Sequence, residues 1–111
     1  MPDPILLRGT LDLLLLKILV PQPLNGFEIV RQLENRSSGA LDLDDSALYQ
    51  ALHRMEERGY IQAEWGVSEN NRRARYYEIT SIGRKHLRVE SARWLKSAAL
   101  VANILGAATQ S

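Results

Sequence analysis

Hydrophobic and polar positions follow two rhythms along this chain, one of three to four residues and one of two. At about residues 10–19, leucines and isoleucines recur at three- and four-residue steps, which aligns them on one face of a helix. Pro21 and Pro23 then end that helix. The same rhythm predicts a second helix at about residues 26–35. Its expected inward face consists of Phe27, Ile29, Val30 and Leu33.

A third helix is predicted after a short intervening segment. Asp44, Asp45 and Ser46 can each cap its first turn by accepting hydrogen bonds from free backbone N–H groups. The apolar rhythm continues to about Arg58, and Gly59 supplies the left-handed residue that commonly ends a helix. The expected inward stripe is Leu48, Ala51, Leu52 and Met55.

The period changes to two after Tyr60. Alternating apolar side chains in residues 61–65, and again at Tyr77 and Ile79, predict a two-stranded hairpin with a long polar tip. Thr80 then caps a final helix that can extend past Leu105. Positions spaced by seven and by four along this helix are typical of a helix that packs against another helix. They are Leu87, Ser91, Trp94, Ala98, Val101 and Leu105.

The order of these elements is that of a winged helix-turn-helix, a mainly α fold of the α+β class. In that fold the third helix enters the major groove of DNA, and the hairpin, or wing, reaches the adjacent backbone or minor groove. We expect residues 1–80 to form the winged helix-turn-helix and residues 81–111 to form a C-terminal dimerisation helix of the same compact unit. A length of 111 residues with 45% hydrophobic composition fits one core.

Composition excludes several functions. The chain has no cysteine, which leaves no thiol nucleophile and no thiolate metal site, and neither His53 nor His86 has a partner at ligand spacing. We therefore expect no metal, no cofactor and no enzymatic activity. The apolar stretch at residues 5–20 carries three charges and is shorter than the ~20 residues of a membrane span, so we expect a soluble, cytoplasmic protein.

A net charge of only +1 does not by itself indicate nucleic-acid binding, so that inference depends on local clusters. The outward face of the third helix consists of side chains that can hydrogen-bond to DNA. They are Ser46, Tyr49, Gln50, His53, Arg54 and Glu57, of which the first five are the candidate DNA contacts. A solvated polar face is the alternative interpretation of the same pattern.

The hairpin tip is the second cluster, and it concentrates positive charge. It holds three arginines within four residues, a composition that suits phosphate binding or insertion into a narrow minor groove. A solubilising loop is the alternative. The candidate wing residues are Asn70, Asn71, Arg72, Arg73 and Arg75.

The final helix has more apolar surface than its own small domain needs, which predicts a homodimer and a near-palindromic DNA site. Folding back onto its own core is the alternative. Trp94 lies in the middle of this helix, where it can anchor the dimer. Two copies of Trp94 facing each other across a gap would instead form a pocket for a small planar aromatic effector.

Together these segments resemble the PadR-type transcriptional regulators over nearly the whole chain. The motifs that carry the resemblance are LRGTLD at 7–12, LNGF at 24–27, SALYQAL at 46–52, RGYI at 58–61, RYYEIT at 75–80 and Gly83. The resemblance implies a dimeric winged-helix factor, usually a repressor, that leaves its operator when a small hydrophobic or phenolic compound binds. One helix follows the wing, as in the short members of the family.

The resemblance also implies which residues contact double-stranded DNA. Ser46, Tyr49 and Gln50 match the recognition-helix segment of the family, and Gln50 stands where relatives often have proline. The matching positions of the basic wing are Arg72, Arg73 and Arg75. A winged helix that acts as a protein–protein adaptor without DNA is the competing prediction, and the salt dependence of DNA binding would separate the two.

Overall fold

The computed structural model describes residues 8–106, and the predicted order of elements is confirmed there. The elements are α1 (Arg8–Leu19), β1 (Leu24–Asn25), α2 (Gly26–Arg36), α3 (Asp45–Glu57), β2 (Ile61–Val67), β3 (Arg73–Ile79) and α4 (Ser81–Leu105). Leu7, the first residue of the LRGTLD motif, lies outside the described residues. So do residues 1–7 of the predicted 1–80 segment and residues 107–111 of the predicted 81–111 segment. The fold is the expected α+β winged helix-turn-helix.

Side-chain caps determine where the helices begin. Asn25 and Glu28 form a reciprocal capping box at the start of α2: each side chain accepts the other's backbone N–H, at 2.9 Å and 3.0 Å. At α3 the Asp44 carboxylate accepts the Ala47 N–H at 2.8 Å, which confirms the predicted start of that helix. Thr80 caps α4 in the same way. Gly59, with φ of 79°, follows the end of α3, as expected.

The sheet has three antiparallel strands in the order β1-β3-β2. The β2–β3 hairpin pairs Ile61 with Ile79 at its base. On the other side of β3, Leu24 of β1 pairs with Tyr77. Strand β1 was not predicted, because two residues are too few to show alternation and their pairing depends on a partner about fifty residues away.

The core lies between the three N-terminal helices and the base of the hairpin. All three predicted apolar stripes contribute to it, with one correction. Phe27 was expected to face inward, but 68% of it is exposed. The buried stripe of α2 is Gly26, Ile29 and Leu33, and Phe27 lies two residues before Ile29, about 200° around the helix.

Trp65 departs from the burial of its strand neighbours. It has the same strand parity as Ile61, which is buried, and Ala63, which is half-buried, but it is 61% exposed. The reason is geometric, because β2 and β3 continue past the edge of the core, where the inward face of the hairpin meets solvent.

Helix α4 packs against α1 with its first half. Leu87, the first of the predicted dimer-interface residues, packs against the core of its own chain. For the N-terminal end of the predicted interface, the structure therefore supports the alternative that α4 folds back onto its own core. The indole of Trp94 donates a hydrogen bond to Thr10 Oγ1 at 3.1 Å. Beyond Trp94 all the large apolar side chains of the described helix are exposed. They are Leu95, Leu100, Val101, Ile104 and Leu105.

Candidate nucleic-acid interface

The outward face of α3 is open to solvent at four of its five candidate positions. Ser46, Gln50 and His53 are exposed, and Tyr49 is 48% exposed. Their contacts are local and weak: the Gln50 amide lies 3.4 Å from Ser46 Oγ, and His53 Nε2 lies 3.3 Å from Glu57. Breaking these contacts costs little free energy, so the side chains can contact a ligand instead.

Arg54 corrects the prediction for the fifth position. Its guanidinium turns toward α1 and donates to the Asp12 carboxylate at 2.8 Å, and only 25% of the side chain is accessible. Asp12 is itself buried. A buried carboxylate requires a paired cation, and Arg54 supplies it, so this arginine joins α3 to α1 instead of projecting from the helix.

Tyr49 lies across the start of α2. A Cβ built on Gly26 would overlap the Tyr49 hydroxyl and come within 3.0 Å of the ring carbon that bears it. Glycine at this position therefore lets the two helices of the helix-turn-helix approach closely. The contact fixes Tyr49 at the edge of α3 that faces the wing.

The tip of the wing is a tight turn between β2 and β3. Ser68 N donates to Arg72 O at 2.8 Å, and Asn71 N donates to Ser68 O at 2.9 Å. Asn71 has φ of 61°, a left-handed conformation that asparagine tolerates better than most residues. Asn70, Asn71 and Arg72 are all exposed at this tip.

The other two wing arginines have different partners. Arg73 lies over the indole of Trp65, with its guanidinium carbon 4.6 Å from the ring centroid. Arg75, nearer the core, donates to Glu56 of α3 at 2.8 Å. Arg75 therefore attaches the wing to α3, the candidate reading helix, whereas Arg73 keeps its hydrogen-bond donors available.

A depression of about 510 Å³ lies where α2, α3 and the wing meet. We call it the reading cleft. Three arginines line it and, among its lining residues within 8–106, there is no Asp or Glu. Its lining residues include Phe27, Tyr49, Trp65, Arg72, Arg73 and Arg75. A concave surface with several cations and no acid is electrostatically suited to a polyanion.

Tyr77 forms part of the floor of the reading cleft. Burial raises the pKa of the Tyr77 hydroxyl above its usual value of 10.0, and the nearby guanidinium of Arg75 lowers it by a smaller amount. The hydroxyl therefore stays protonated at neutral pH and adds no negative charge to the cleft.

A second groove, of about 700 Å³, lies between α1 and α4. Its apolar lining includes Leu13, Leu87 and Trp94, and Lys17, Arg84 and Arg88 also border it. Within residues 8–106, no group of three or more His, Asp or Glu side chains is arranged to hold a metal ion. No helix in the same range combines the length and apolarity that crossing a membrane requires.

An exposed reading helix beside a basic wing defines a class, the winged-helix DNA-binding transcriptional regulators. Within that class, the profile of the Transcriptional regulator PadR-like family matches residues 15–89, about two thirds of the chain. The chain belongs to this family. The predictions of a transcriptional regulator and of a protein that is not an enzyme are thereby confirmed.

Solved structures agree with the family assignment. A transcriptional regulator from Clostridium thermocellum is 25% identical with a TM-score of 0.82, over 93% of this chain and 97% of that one. A PadR family transcription regulator from Clostridium difficile is 27% identical with a TM-score of 0.76, over 87% and 99% of the two chains. A relative found by sequence, an uncharacterised protein of Lysinibacillus sphaericus, is 28% identical over 89 residues, covering 80% of this chain and 82% of that protein.

Two aromatic residues of the reading cleft were missed as candidate binding residues. Trp65 has the strand parity of Ile61 and Ala63, and Phe27 lies in the apolar pattern of α2, so the sequence pattern does not mark either of them as a surface residue. A usable signal exists for Trp65: it lies two residues beyond Ala63 and pairs with Arg75 in a hairpin whose tip is strongly basic, which indicates that the core ends before it. We see no comparable signal for Phe27.

Proposed function

We propose that the protein binds specific sequences in double-stranded DNA, with α3 in the major groove and the wing against the adjacent backbone or minor groove. The observation that carries this proposal is the reading cleft, in which Tyr49 of α3 and three arginines of the wing line one acid-free concavity. If α3 presented only a solvated face and the hairpin tip were only a solubilising loop, nothing would require the two to line one concavity without acidic side chains.

Helix α3 and the wing have different roles in this proposal. Ser46 and Gln50 read base edges, because their side chains are exposed and can offer both donors and acceptors. Tyr49 and His53 reach phosphates at the rim of the groove. The wing supplies most of the nonspecific attraction through Arg72 and Arg73, with Asn70 and Asn71 at its tip. Arg75 adds to this attraction once a phosphate displaces Glu56 from its guanidinium.

We further propose that the protein acts as a homodimer through α4. The support is the row of large apolar side chains that the second half of this helix exposes, among them Val101, Leu105 and half of Trp94. Ser91 and Ala98 lie partly covered on the same helix, where small residues allow a close approach. A two-fold dimer has two reading helices and requires a near-palindromic operator.

Repression and response to an effector complete the proposal. A dimer that occupies its operator excludes other proteins from that DNA, which favours repression. The protein would then act in the cytoplasm. The groove between α1 and α4 presents the Trp94 indole beside aliphatic side chains, a surface that suits a small planar hydrophobic or phenolic compound. Quenching of Trp94 fluorescence by such compounds, measured in a Trp65→Phe variant, tests this part.

Salt dependence tests DNA binding against the protein–protein adaptor. With about six to eight arginine or lysine contacts to phosphate per dimer, log Kd should change with log salt concentration with a slope of magnitude about 5 to 7. A Kd for a mixed-sequence duplex that does not change with salt concentration would favour the adaptor. So would the absence of binding to a pool of random duplexes.

Variants then separate the two proposed roles. Joint replacement of Arg72, Arg73 and Arg75 by alanine should weaken binding to every duplex to a similar extent, whereas Gln50→Ala should change the preference among sequences. Arg36→Ala is the matched control, because Arg36 is an exposed arginine at the opposite end of α2 from the reading cleft. Equal effects of the wing and Gln50 variants on all duplexes would contradict these roles.

A further inference from the structure

Trp65 is a large apolar side chain exposed at a place where the fold gives it no core to enter. It lies on the face of β2 that looks into the reading cleft, beyond the last half-buried position at Ala63. A single exposed apolar residue is ordinary on a protein surface. An exposed indole that floors a basic cleft and supports one of its arginines is a more specific arrangement.

The partner of Trp65 is Arg73 on the neighbouring strand. In the hairpin register Trp65 pairs with Arg75 and Val67 pairs with Arg73, so Trp65 and Arg73 are diagonal neighbours on one face. The guanidinium carbon of Arg73 lies 4.6 Å from the indole centroid, within the range of a cation–π contact. Within residues 8–106, no carboxylate pairs with Arg73.

The chemistry of this contact differs from that of an ion pair. A carboxylate, such as Glu56 beside Arg75, occupies the N–H donors of a guanidinium and cancels its charge. An aromatic face holds the cation through its plane and leaves the in-plane N–H donors and the full positive charge available.

We propose that Trp65 is a positioning residue for DNA binding, which orients the Arg73 guanidinium so that its free N–H groups meet a backbone phosphate. This inference rests on the proposed function. A free arginine side chain loses rotamer entropy when it docks on a phosphate, and the indole reduces that loss by restricting Arg73 beforehand. Trp65 thereby contributes to affinity without contacting the DNA itself.

The test compares Trp65→Leu, which removes the aromatic face, with Trp65→Phe, which keeps one. An exposed cation–π contact corresponds to about a twofold to fivefold change in affinity per wing, and therefore to about fivefold to thirtyfold for a dimer with two wings. Fluorescence anisotropy measures Kd on a 30-base-pair duplex selected from a random pool by the wild-type protein. Trp65→Leu should weaken binding by that factor. Trp65→Phe should retain most of the wild-type affinity, because it keeps an aromatic face under Arg73.

Two further readouts distinguish positioning from a structural effect. The salt slope of Trp65→Leu should become shallower by up to about two, one phosphate for each wing. Ile82→Ala, at an exposed apolar residue of α4 that does not line the reading cleft, is the matched control and should leave both Kd and the slope unchanged. Equal losses in Trp65→Leu and Ile82→Ala would contradict the inference.

A double-mutant cycle with Arg73→Ala shows whether Trp65 acts through Arg73. Trp65→Leu should cost almost nothing in the Arg73→Ala background, because the group that it positions is gone. An undiminished loss there would overturn the positioning role and point to direct contact between the indole and DNA. NMR of the free protein tests the contact between Arg73 and the Trp65 indole without DNA. Trp65→Leu should remove a ring-current shift from the Arg73 Hε resonance. An unchanged resonance would show that the contact does not form in solution.

The outcomes also separate this inference from the proposed function. A wild-type protein that binds no duplex would overturn both. Salt-dependent duplex binding by the wild type that Trp65→Leu leaves unchanged would overturn the positioning of Arg73 alone.

Discussion

Gly83 lies where the first turn of α4 meets the start of the wing, and it leaves no room for a larger residue. A Cβ at this position would lie 2.9 Å from both the Tyr60 carbonyl carbon and Ile79 Cγ1, and closer still to the Tyr60 oxygen. That oxygen accepts the Thr80 N–H at 3.0 Å, so a shift of Tyr60 also disturbs the hydrogen bond that joins wing and helix.

The magnitude for Gly83→Ala follows from these contacts. Overpacking against a rigid neighbour costs about 1–3 kcal/mol, and a weakened hydrogen bond adds about 1 kcal/mol. Alanine recovers less than about 1 kcal/mol of helix propensity at this position. We expect a net loss of about 2–3 kcal/mol in the free energy of unfolding, which corresponds to a fall in Tm of about 10 °C or more.

Gly9→Ala is the matched control, because it makes the same chemical change in a helix where the new Cβ meets nothing within 4 Å. We expect it to be neutral or to stabilise the protein by up to about 1 kcal/mol. Urea unfolding followed by circular dichroism, at one fixed protein concentration, measures both variants. A Gly83→Ala protein as stable as Gly9→Ala would refute the packing argument.

Three other substitutions test separate parts of the structure. Arg54→Met should cost about 3 kcal/mol of unfolding free energy, because it leaves the Asp12 carboxylate buried and unpaired. The double variant Asp12→Leu with Arg54→Met should recover most of that loss in urea unfolding, and no recovery would contradict the pairing. Burial raises the pKa of Tyr77, so its hydroxyl ionises more readily in the unfolded chain and stability should fall as pH rises past about 10. Tyr77→Phe should make that fall shallower, and an unchanged pH profile would exclude Tyr77 as its source. Trp94→Asp should shift the protein toward monomer in sedimentation, whereas Lys96→Asp, about 200° further around α4, should not. A full-strength Trp94→Asp dimer would remove Trp94 from the interface.

Local features of this fold could be predicted from the sequence because local forces produce them. The start of α3 depends on the Asp44 side chain and a backbone N–H three residues away. The predicted α3 stripe is buried for the same reason, since a helical period of 3.6 residues aligns it within one element.

Other features depend on distant partners and could not be predicted in this way. Helical geometry assigned Arg54 to the outer face of α3, but a buried carboxylate 42 residues earlier in the chain draws its guanidinium inward. Strand parity groups Trp65 with Ile61 and Ala63, but the extent of the core depends on the helices that cover the sheet. In both cases the local pattern is correct, and the tertiary arrangement decides what the side chain touches.

Site-directed cleavage tests the central claim, that α3 and the wing contact one DNA duplex together, most directly. The chain contains no cysteine, so Gln50→Cys and Asn70→Cys each introduce one site for an iron chelate that cuts nearby DNA. On the selected duplex we expect cuts from position 50 at two places about one helical turn, or a multiple of it, apart, and cuts from position 70 beside each of them. Duplex binding with scattered cuts from both positions would contradict the claim.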